Sequence, residues 1–392
     1  MKPPRTIVRR TDWPVSTSRP VVTPLQPSVV YASPDPDALD AQYVGKTGFT
    51  YAREGHPNAE VLAAKIDHLE GAEDGISTGS GMSAISAVIL GCLKSGDHVL
   101  GGDQLYGRTL RLMTQDMPRF GVETSLADPT DIAAMRAAVR PNTRMILVEV
   151  ISNPTIRVAD MEGIAALAKE IGAMLVVDNT FTTPRLYRPF DHGADIVIHS
   201  VTKLLAGHSD ATLGYVAARD PVLREAIMAA NVTWGMTPSP FDCWLAERGL
   251  HSFDLRLDRA EQNARHLADA LAPLKGVARV IYPTRSDHPD HNRAVALLGG
   301  RGGNMLSLEL AGGRAAANAF TRAAPEIAFA PTLGDVGTTL SHPASSSHRG
   351  LTPEGRAALG ISEGFFRVSV GVEPVEILIE EMTRAVSASL GA

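Results

Sequence analysis

Short apolar runs and longer amphipathic segments alternate through the middle of the chain. The apolar runs, each followed by polar residues, are DHVLGG, RMILVEV, MLVVDNT and DIVIHS. Segments with helical periodicity lie among them, including AEVLAAKIDHLEGAE, MEGIAALAKEIG and the more apolar GMSAISAVILGCLKSG. Continuous apolar runs are typical of strands that are buried on both faces of a sheet. The alternation therefore predicts an α/β domain with a mostly parallel sheet, over residues 56–254.

The flanking segments have different patterns. Residues 1–55 are rich in proline, serine and threonine, which disfavour helix interiors and central strands, so they predict an extended N-terminal arm. Residues 255–392 mix strand patterns such as NMLSLEL and FFRVSVGVE with helical ones, which predicts a smaller α+β domain. A long helical stretch that begins at SPFDCWLAERG connects the two domains.

Composition excludes several classes of protein. The 392 residues are 44% hydrophobic and 20% charged, as in ordinary globular proteins. The net charge of −6 does not indicate the excess of positive charge that is typical of nucleic-acid-binding proteins. We see no apolar stretch near membrane-spanning length and no signal peptide, so we expect a cytoplasmic protein without a membrane partner. Cys92 and Cys243 lie in apolar segments and suggest reduced core residues. The histidines lack ligand spacing, and we expect no metal.

Polar side chains follow the ends of the predicted strands. Ligands of parallel α/β sheets bind outside the carboxyl ends of the strands. The residues found there are Tyr106, Glu149, Asn153, Asp178, Ser200, Thr202 and Lys203. A lysine after a strand is usually a solvated surface charge, but here an acid, an aromatic ring and an amide are expected at the same rim. Their convergence predicts a chemical site.

A second feature is the stretch STGSGMSAI, in which small residues precede an apolar helix. The free N–H groups and the dipole at such a helix start bind anions, typically phosphate. The predicted anion site comprises Ser80, Gly81 and Met82, although Ser and Gly before a helix are also ordinary caps. The stretch matches neither a P-loop nor a G-x-G-x-x-G motif.

These residues together match what pyridoxal 5′-phosphate requires of a protein. Lys203 would hold the cofactor as a Schiff base, and Asp178 would keep its ring nitrogen protonated. The helix start, with Ser200 and Thr202, would bind the phosphate, and Tyr106 would lie on the ring. An amino-acid substrate also needs an arginine for its carboxylate, for which Arg367 in FFRVSVG is the candidate.

The same stretches resemble the trans-sulfuration enzymes, a pyridoxal-phosphate-dependent family that includes cystathionine β- and γ-lyases, cystathionine γ-synthase and methionine γ-lyase. The resemblance runs from about Thr23 to the C-terminus, in family order. It is carried by YAREGHPNAEVLAAKIDHLEG, TGSGMSAI, LYGRT, SNPT, VVDNTFTTP, HSVTKLLAGHSD, RGLHSFDLRL, TLGD, HPASSSH and GISEGFFRVSVGVE. It implies the aspartate-aminotransferase-like fold, fold type I.

The resemblance also implies roles for individual residues. Lys203 is the Schiff-base lysine and proton carrier, and Asp178 pairs with the ring nitrogen. Tyr106 stacks on the ring and is the second catalytic residue, as a proton shuttle. Gly81, Met82, Ser200 and Thr202 hold the phosphate, to which a neighbouring subunit contributes Tyr51 and Arg53. The substrate faces Asn153, Thr332 and Arg367. A homo-oligomer, usually a tetramer, is implied.

The expected activity is a lyase reaction that eliminates a thiol from a sulfur amino acid such as cystathionine. The alternative is γ-replacement on an activated homoserine. Arg108 stands where methionine γ-lyases carry a cysteine, and Gly337 stands about where many γ-acting members carry a glutamate. A Schiff-base aldolase would not need Asp178 or the phosphate-binding helix. A non-catalytic binding protein of this fold would be expected to have lost Lys203, Asp178 or Arg367.

Overall fold

The described residues form two β-sheets, one of seven strands and one of five, and the larger has the strand order β1-β7-β6-β5-β4-β2-β3. The computed structural model describes residues 14–45 and 47–391. The strands are β1 (Ile76–Thr78), β2 (His98–Gly102), β3 (Glu123–Ala127), β4 (Thr143–Glu149), β5 (Met174–Asp178), β6 (Ile196–His199) and β7 (Gly214–Ala218). Strands β2 to β6 are mutually parallel, and β7 runs antiparallel to both β6 and β1. The predicted α/β class with a mostly parallel sheet is confirmed.

Helices cover both faces of this sheet. The helices up to residue 271 are α1 (Pro36–Gly45), which belongs to the N-terminal arm, α2 (Pro57–Glu70), α3 (Gly81–Cys92), α4 (Gly107–Arg111), α5 (Ile132–Ala137), α6 (Met161–Ile171), α7 (Thr183–Leu186), α8 (Pro221–Thr233), α9 (Pro240–Leu250) and α10 (Phe253–Leu271). Successive strand residues alternate between two cores: Leu175 and Val177 pack on the side of α2 and α6, whereas Val176 packs on the side of α3 and α8. This two-sided burial explains the unbroken apolar runs in the sequence.

The second sheet has five strands in the order β10-β11-β12-β9-β8. They are β8 (Val277–Ile281), β9 (Met305–Leu310), β10 (Ala328–Phe329), β11 (Thr339–Ser341) and β12 (Phe365–Ser369). The accompanying helices are α11 (His291–Leu297), α12 (Gly313–Ala323), α13 (Pro353–Ala358) and α14 (Val375–Ser389). All strand pairs of this sheet are antiparallel except β10–β11, as suits an α+β arrangement.

Helix α10 connects the two halves of the molecule. Its Phe253 and Leu257 pack in a core of the large sheet, while Leu267 and Leu271 pack in the core of the small one. The helical stretch expected to connect the domains is in fact two helices, α9 and α10, separated by a turn at His251. The domain boundary expected after residue 254 falls inside the first turn of α10, and the division itself stays a prediction.

The N-terminal arm is not wholly extended. Helix α1 forms within it, because the side chain of Asp35 accepts a hydrogen bond from Ala38 N at 2.8 Å and Pro36 occupies the first helical position. Val30 pairs with Tyr51 in an isolated bridge, and Val21, Val22 and Val30 are exposed. Residues 1–13 of the predicted arm lie outside the described residues. Within the described residues, no helix combines the length and apolar character needed to span a membrane.

Candidate active site

Lys203 lies in the loop that follows β6, at the carboxyl end of the parallel sheet. The loop is closed by two backbone hydrogen bonds, Lys203 N to Ser200 O at 3.1 Å and Gly207 N to Lys203 O at 2.8 Å. The Lys203 side chain is half-buried, and its Nζ donates to Thr332 Oγ1 at 3.5 Å. Burial, and the nearby positive charge of Arg367, lower the pKa of this amine. An amine that releases its proton readily is suited to act as a nucleophile and a base.

Thr332 reaches Lys203 from the second half of the chain because of a close backbone approach. Gly334 has φ of 80°, and a Cβ on it would lie 2.5 Å from Leu204 N. A larger residue would push the Thr332 turn away from the lysine loop. Glycine at position 334 therefore helps to bring the two halves of the site together.

Asp178 ends β5, the strand next to β6. Its Oδ1 accepts hydrogen bonds from the Thr180 N–H at 3.1 Å and the Thr180 hydroxyl at 2.6 Å. Burial raises the pKa of Asp178, and the bonds from Thr180 oppose this shift. The other oxygen, Oδ2, takes no hydrogen bond from the described residues and is free for a cationic partner.

The start of α3 lies against the lysine loop. Ser80 caps the helix by accepting from Ser83 N at 3.0 Å. A Cβ on Gly81 would lie only 2.7 Å from Ser200 Cβ, so glycine is required for this approach. The free N–H groups of a twelve-residue helix thus stand beside Ser200, as an anion site requires. Met82 follows in the first turn.

Thr202 is placed differently from the other residues expected at the phosphate. Its hydroxyl donates to Leu213 O at 3.1 Å and accepts from Leu213 N at 2.8 Å, tying the loop to the segment before β7. In the described residues this hydroxyl is hydrogen-bonded to the backbone of Leu213. The expected contact of Thr202 with a phosphate stays a prediction.

Arg367 in β12 is a buried cation, 5% exposed. Its Nη1 donates to Asn153 Oδ1 at 2.9 Å and its Nη2 to Thr332 O at 2.6 Å, whereas Nε is buried and has no partner in the part of the chain that the structure describes. No carboxylate pairs with it among the described residues, and burial lowers its pKa to about 10. A buried guanidinium with neutral partners and a free donor is suited to bind an anion from outside the chain.

Two further residues at the site carry no role in the sequence-based prediction of function. His348 is buried, and burial together with Arg367 lowers its pKa to about 4, so its imidazole is neutral near pH 7. Glu149, expected at the rim of the sheet but given no role there, accepts a hydrogen bond from Tyr106 N at 2.7 Å. The Glu149–Tyr106 bond joins residues 43 positions apart in sequence, and no local pattern indicates it.

Tyr106 and the predicted cross-subunit pair lie in exposed positions. Tyr106 precedes α4, is 41% exposed and lies close enough to Arg367 to influence its pKa. Arg53 lies over the ring of Tyr51, 5.5 Å from its centroid, and its Nη1 donates to Val232 O at 3.3 Å. Both residues of this pair are exposed on the arm side of the chain, and their contribution to a neighbouring subunit stays a prediction.

The side chains present fit pyridoxal phosphate. Asp178 offers a free carboxylate oxygen for a protonated ring nitrogen, the Gly81 helix start offers N–H donors for a phosphate, and Lys203 offers a low-pKa amine. No group of three or more His, Cys, Asp or Glu in the described ranges is arranged to hold a metal ion. Fold and site together define a pyridoxal-phosphate-dependent enzyme of fold type I.

Comparison with known proteins identifies the family within this class. Residues 6–387 match the family model described as Cys/Met metabolism PLP-dependent enzyme. The protein therefore belongs to the family of pyridoxal-phosphate-dependent enzymes of cysteine and methionine metabolism. The resemblance seen in the sequence motifs, the expected cofactor and the expected fold are confirmed.

Relatives with different activities are similar to this chain to nearly the same degree. An L-methionine γ-lyase of Pseudomonas putida is 38% identical over 94% of this chain and 93% of its own. A cystathionine γ-lyase of Bacillus subtilis is 38% identical over 86% of this chain and 89% of its own. A crystal structure of cystathionine γ-synthase from Xanthomonas oryzae pv. oryzae, in complex with aminoacrylate and cysteine, superposes with a TM-score of 0.89. That structure is 35% identical and covers 95% of this chain and 94% of its own.

Proposed function

We propose that the protein is a carbon–sulfur lyase that eliminates a thiol from a sulfur amino acid such as cystathionine. The observation that carries the proposal is the buried Arg367, which has no anionic partner in the described chain and lies beside Thr332, the hydrogen-bond partner of Lys203. An α-carboxylate bound by Arg367 would be close to the lysine amine. The site therefore favours an α-amino acid as substrate.

Arg367 and Asn153 orient the substrate in this proposal. Two of the arginine's donors are occupied by Asn153 Oδ1 and Thr332 O, and the rest, including Nε, are available for a carboxylate. Because the guanidinium is rigid and already positioned, little conformational freedom is lost on binding. The fixed carboxylate then leaves the substrate Cα in reach of Lys203.

Lys203 moves the protons. When bound, pyridoxal phosphate supplies an electron sink that stabilises negative charge at Cα. In its neutral form, favoured by burial, Lys203 Nζ takes the Cα proton. For β-elimination, the Cβ–S bond then breaks and the thiol leaves. With water, cystathionine gives pyruvate, ammonia and homocysteine. For γ-elimination, Lys203 must first give up the Cα proton. Neutral again, it takes a Cβ proton and returns a proton to the leaving sulfur as the Cγ–S bond breaks, and with water the products are 2-oxobutyrate, ammonia and cysteine.

The second candidate is γ-replacement, in which an activated homoserine loses its acyl group and a thiol takes its place. It is favoured by the similarity to cystathionine γ-synthase. Gly337, which lacks the side chain carried at about this position by many γ-acting relatives, weighs against it. A Cβ at Gly337 would make only an ordinary contact with Asp335 Oδ1, at 3.4 Å, so the backbone does not require glycine for lack of space at this position. Exposed Arg108 likewise weighs against a methionine γ-lyase.

The deciding experiment is incubation of the cofactor-loaded protein with L-cystathionine, followed by identification of the keto acid. Pyruvate with homocysteine would establish β-elimination, and 2-oxobutyrate with cysteine would establish γ-elimination. If neither forms, the lyase proposal is wrong for this substrate. O-acyl-homoserine with cysteine or sulfide then tests γ-replacement, with Lys203→Ala as the inactive control in each assay.

A homo-oligomer belongs to the same proposal. Tyr51 and Arg53 are exposed in one copy, as are Val21, Val22 and Val30 of the arm, and a second copy would cover them. Sedimentation at several protein concentrations, with and without cofactor, tests this part. A monomer that remains fully active would contradict it.

A further inference from the structure

The end of β4 holds a carboxyl group that the proposed mechanism does not use. Glu149 Oε1 accepts the backbone N–H of Tyr106 at 2.7 Å, linking the strand end to the turn that carries Tyr106. Its other oxygen, Oε2, is buried and has no hydrogen-bond partner among residues 14–45 and 47–391. A buried polar atom without a partner is uncommon in a native protein and requires an explanation.

Glu149 also lies beside Asp178. The two residues are register partners on the parallel strands β4 and β5, so their side chains start from neighbouring positions at the same edge. Asp178 has two donors from Thr180, whereas Glu149 has only the Tyr106 N–H and no ion pair with any described lysine or arginine. Two neighbouring, half-buried carboxyl groups do not readily ionise together, and the one with fewer donors keeps its proton.

Burial also favours the protonated form of Glu149. Desolvation, followed by the charge of Asp178, raises the pKa of Glu149 well above its ordinary value. The Tyr106 N–H opposes the shift and is outweighed. His199, on the next strand, lowers the pKa of Asp178 and so helps to keep the negative charge there.

We propose that Glu149 is a positioning residue that acts in its protonated, neutral form. Its Oε1 holds the turn of Tyr106 in place, and its lack of charge leaves Asp178 as the single carboxylate facing a protonated ring nitrogen. This inference rests on the proposed function only in so far as both need the cofactor. It concerns the placing of Tyr106 and the charge at the ring, whatever the substrate.

The test compares Glu149→Gln with Glu149→Ala in the cofactor-loaded protein. Glutamine keeps an acceptor for Tyr106 N and is neutral, so we expect cofactor affinity and kcat/KM within about threefold of the parent protein. Alanine removes the acceptor, and we expect kcat/KM to fall about tenfold, with altered visible circular dichroism of the bound cofactor. Glu162→Gln, on the exposed face of α6, is the matched control and should change none of these quantities.

A direct readout of the proton needs no substrate. Infrared difference spectra between the parent protein and Glu149→Gln should show the carbonyl stretch of one buried, protonated carboxylic acid, absent from the variant. No such band, or glutamine as damaging as alanine, would overturn the proposal. An equal fall in melting temperature for both variants, with unchanged circular dichroism of the cofactor, would show a purely structural role and also overturn it. None of these results depends on which keto acid the enzyme forms.

Discussion

Arg367 offers the sharpest test of how substrate is recognised. Replacing it with methionine keeps much of the side-chain volume but removes a buried cation that has no carboxylate partner in the described chain. Truncating one partner of a buried, hydrogen-bonded charge pair costs about 2–4 kcal/mol of binding free energy. At about 1.4 kcal/mol per factor of ten, affinity for an amino acid should fall about 30- to 700-fold.

The assay separates recognition of the carboxylate from general damage. The dissociation constant of a non-reacting amino acid such as glycine is measured by spectral titration of the bound cofactor, and KM is measured with cystathionine. A cysteamine thioether, which lacks the α-carboxylate, should bind Arg367→Met and the parent protein about equally. Arg349→Met, at an exposed arginine after His348, serves as the control and should leave every value unchanged.

Two outcomes would refute the reasoning. An unchanged KM for Arg367→Met would show that another group binds the carboxylate. An equal loss of affinity for the amino acid and for the amine without a carboxylate would show that Arg367 shapes the site without contacting the substrate. In that case the buried charge would need another explanation, such as the support it gives to Asn153 and Thr332.

Three further perturbations probe other parts of the site. Lys203→Ala should abolish turnover and the visible absorption band of the lysine-bound cofactor, and normal turnover by this variant would contradict its assignment. Arg53→Ala should weaken retention of pyridoxal phosphate in dialysis if a second copy uses this residue, whereas unchanged affinity would count against a cross-subunit contact. Because the pKa of buried His348 is lowered to about 4 from 6.5, the unfolded chain binds the extra proton between these values and stability falls as the pH drops from 6.5 to 4. In the His348→Gln variant, the loss in free energy of unfolding between pH 6.5 and pH 4 should be smaller by up to about 3 kcal/mol, as measured by chemical unfolding across this range. If the variant loses as much stability as the parent protein, His348 does not cause the pH dependence.

The central strands and their rim could be predicted because burial on two faces leaves a clear local pattern. Strands β4, β5 and β6 are apolar almost without interruption, and Asp178 and Lys203 follow their ends. The edge strand β3 is partly exposed and has no such pattern. Strand β1 is only three residues long, too short for periodicity to indicate it.

The contacts that complete the site depend on distant parts of the chain. Thr332 approaches Lys203 from 129 residues away, and Arg367 reaches Asn153 across 214 residues. The motifs indicated which residue types belong together. No spacing in the sequence shows that Arg367 lacks an acidic partner among the described residues, or that Glu149 accepts a hydrogen bond from Tyr106 N. These facts follow from packing between the two sheets, which local propensity does not describe.

Helix α10 has a consequence for the way the protein loses activity on heating. Its Arg256 donates to Leu204 O at 2.9 Å and to Leu205 O at 3.1 Å, so the segment just after Lys203 is hydrogen-bonded to this helix. The far end of the same helix lies in the core of the small sheet. Melting of either core loosens that helix and frees the lysine loop. The two sheets should therefore unfold as one cooperative unit with a single calorimetric peak, and inactivation should coincide with it.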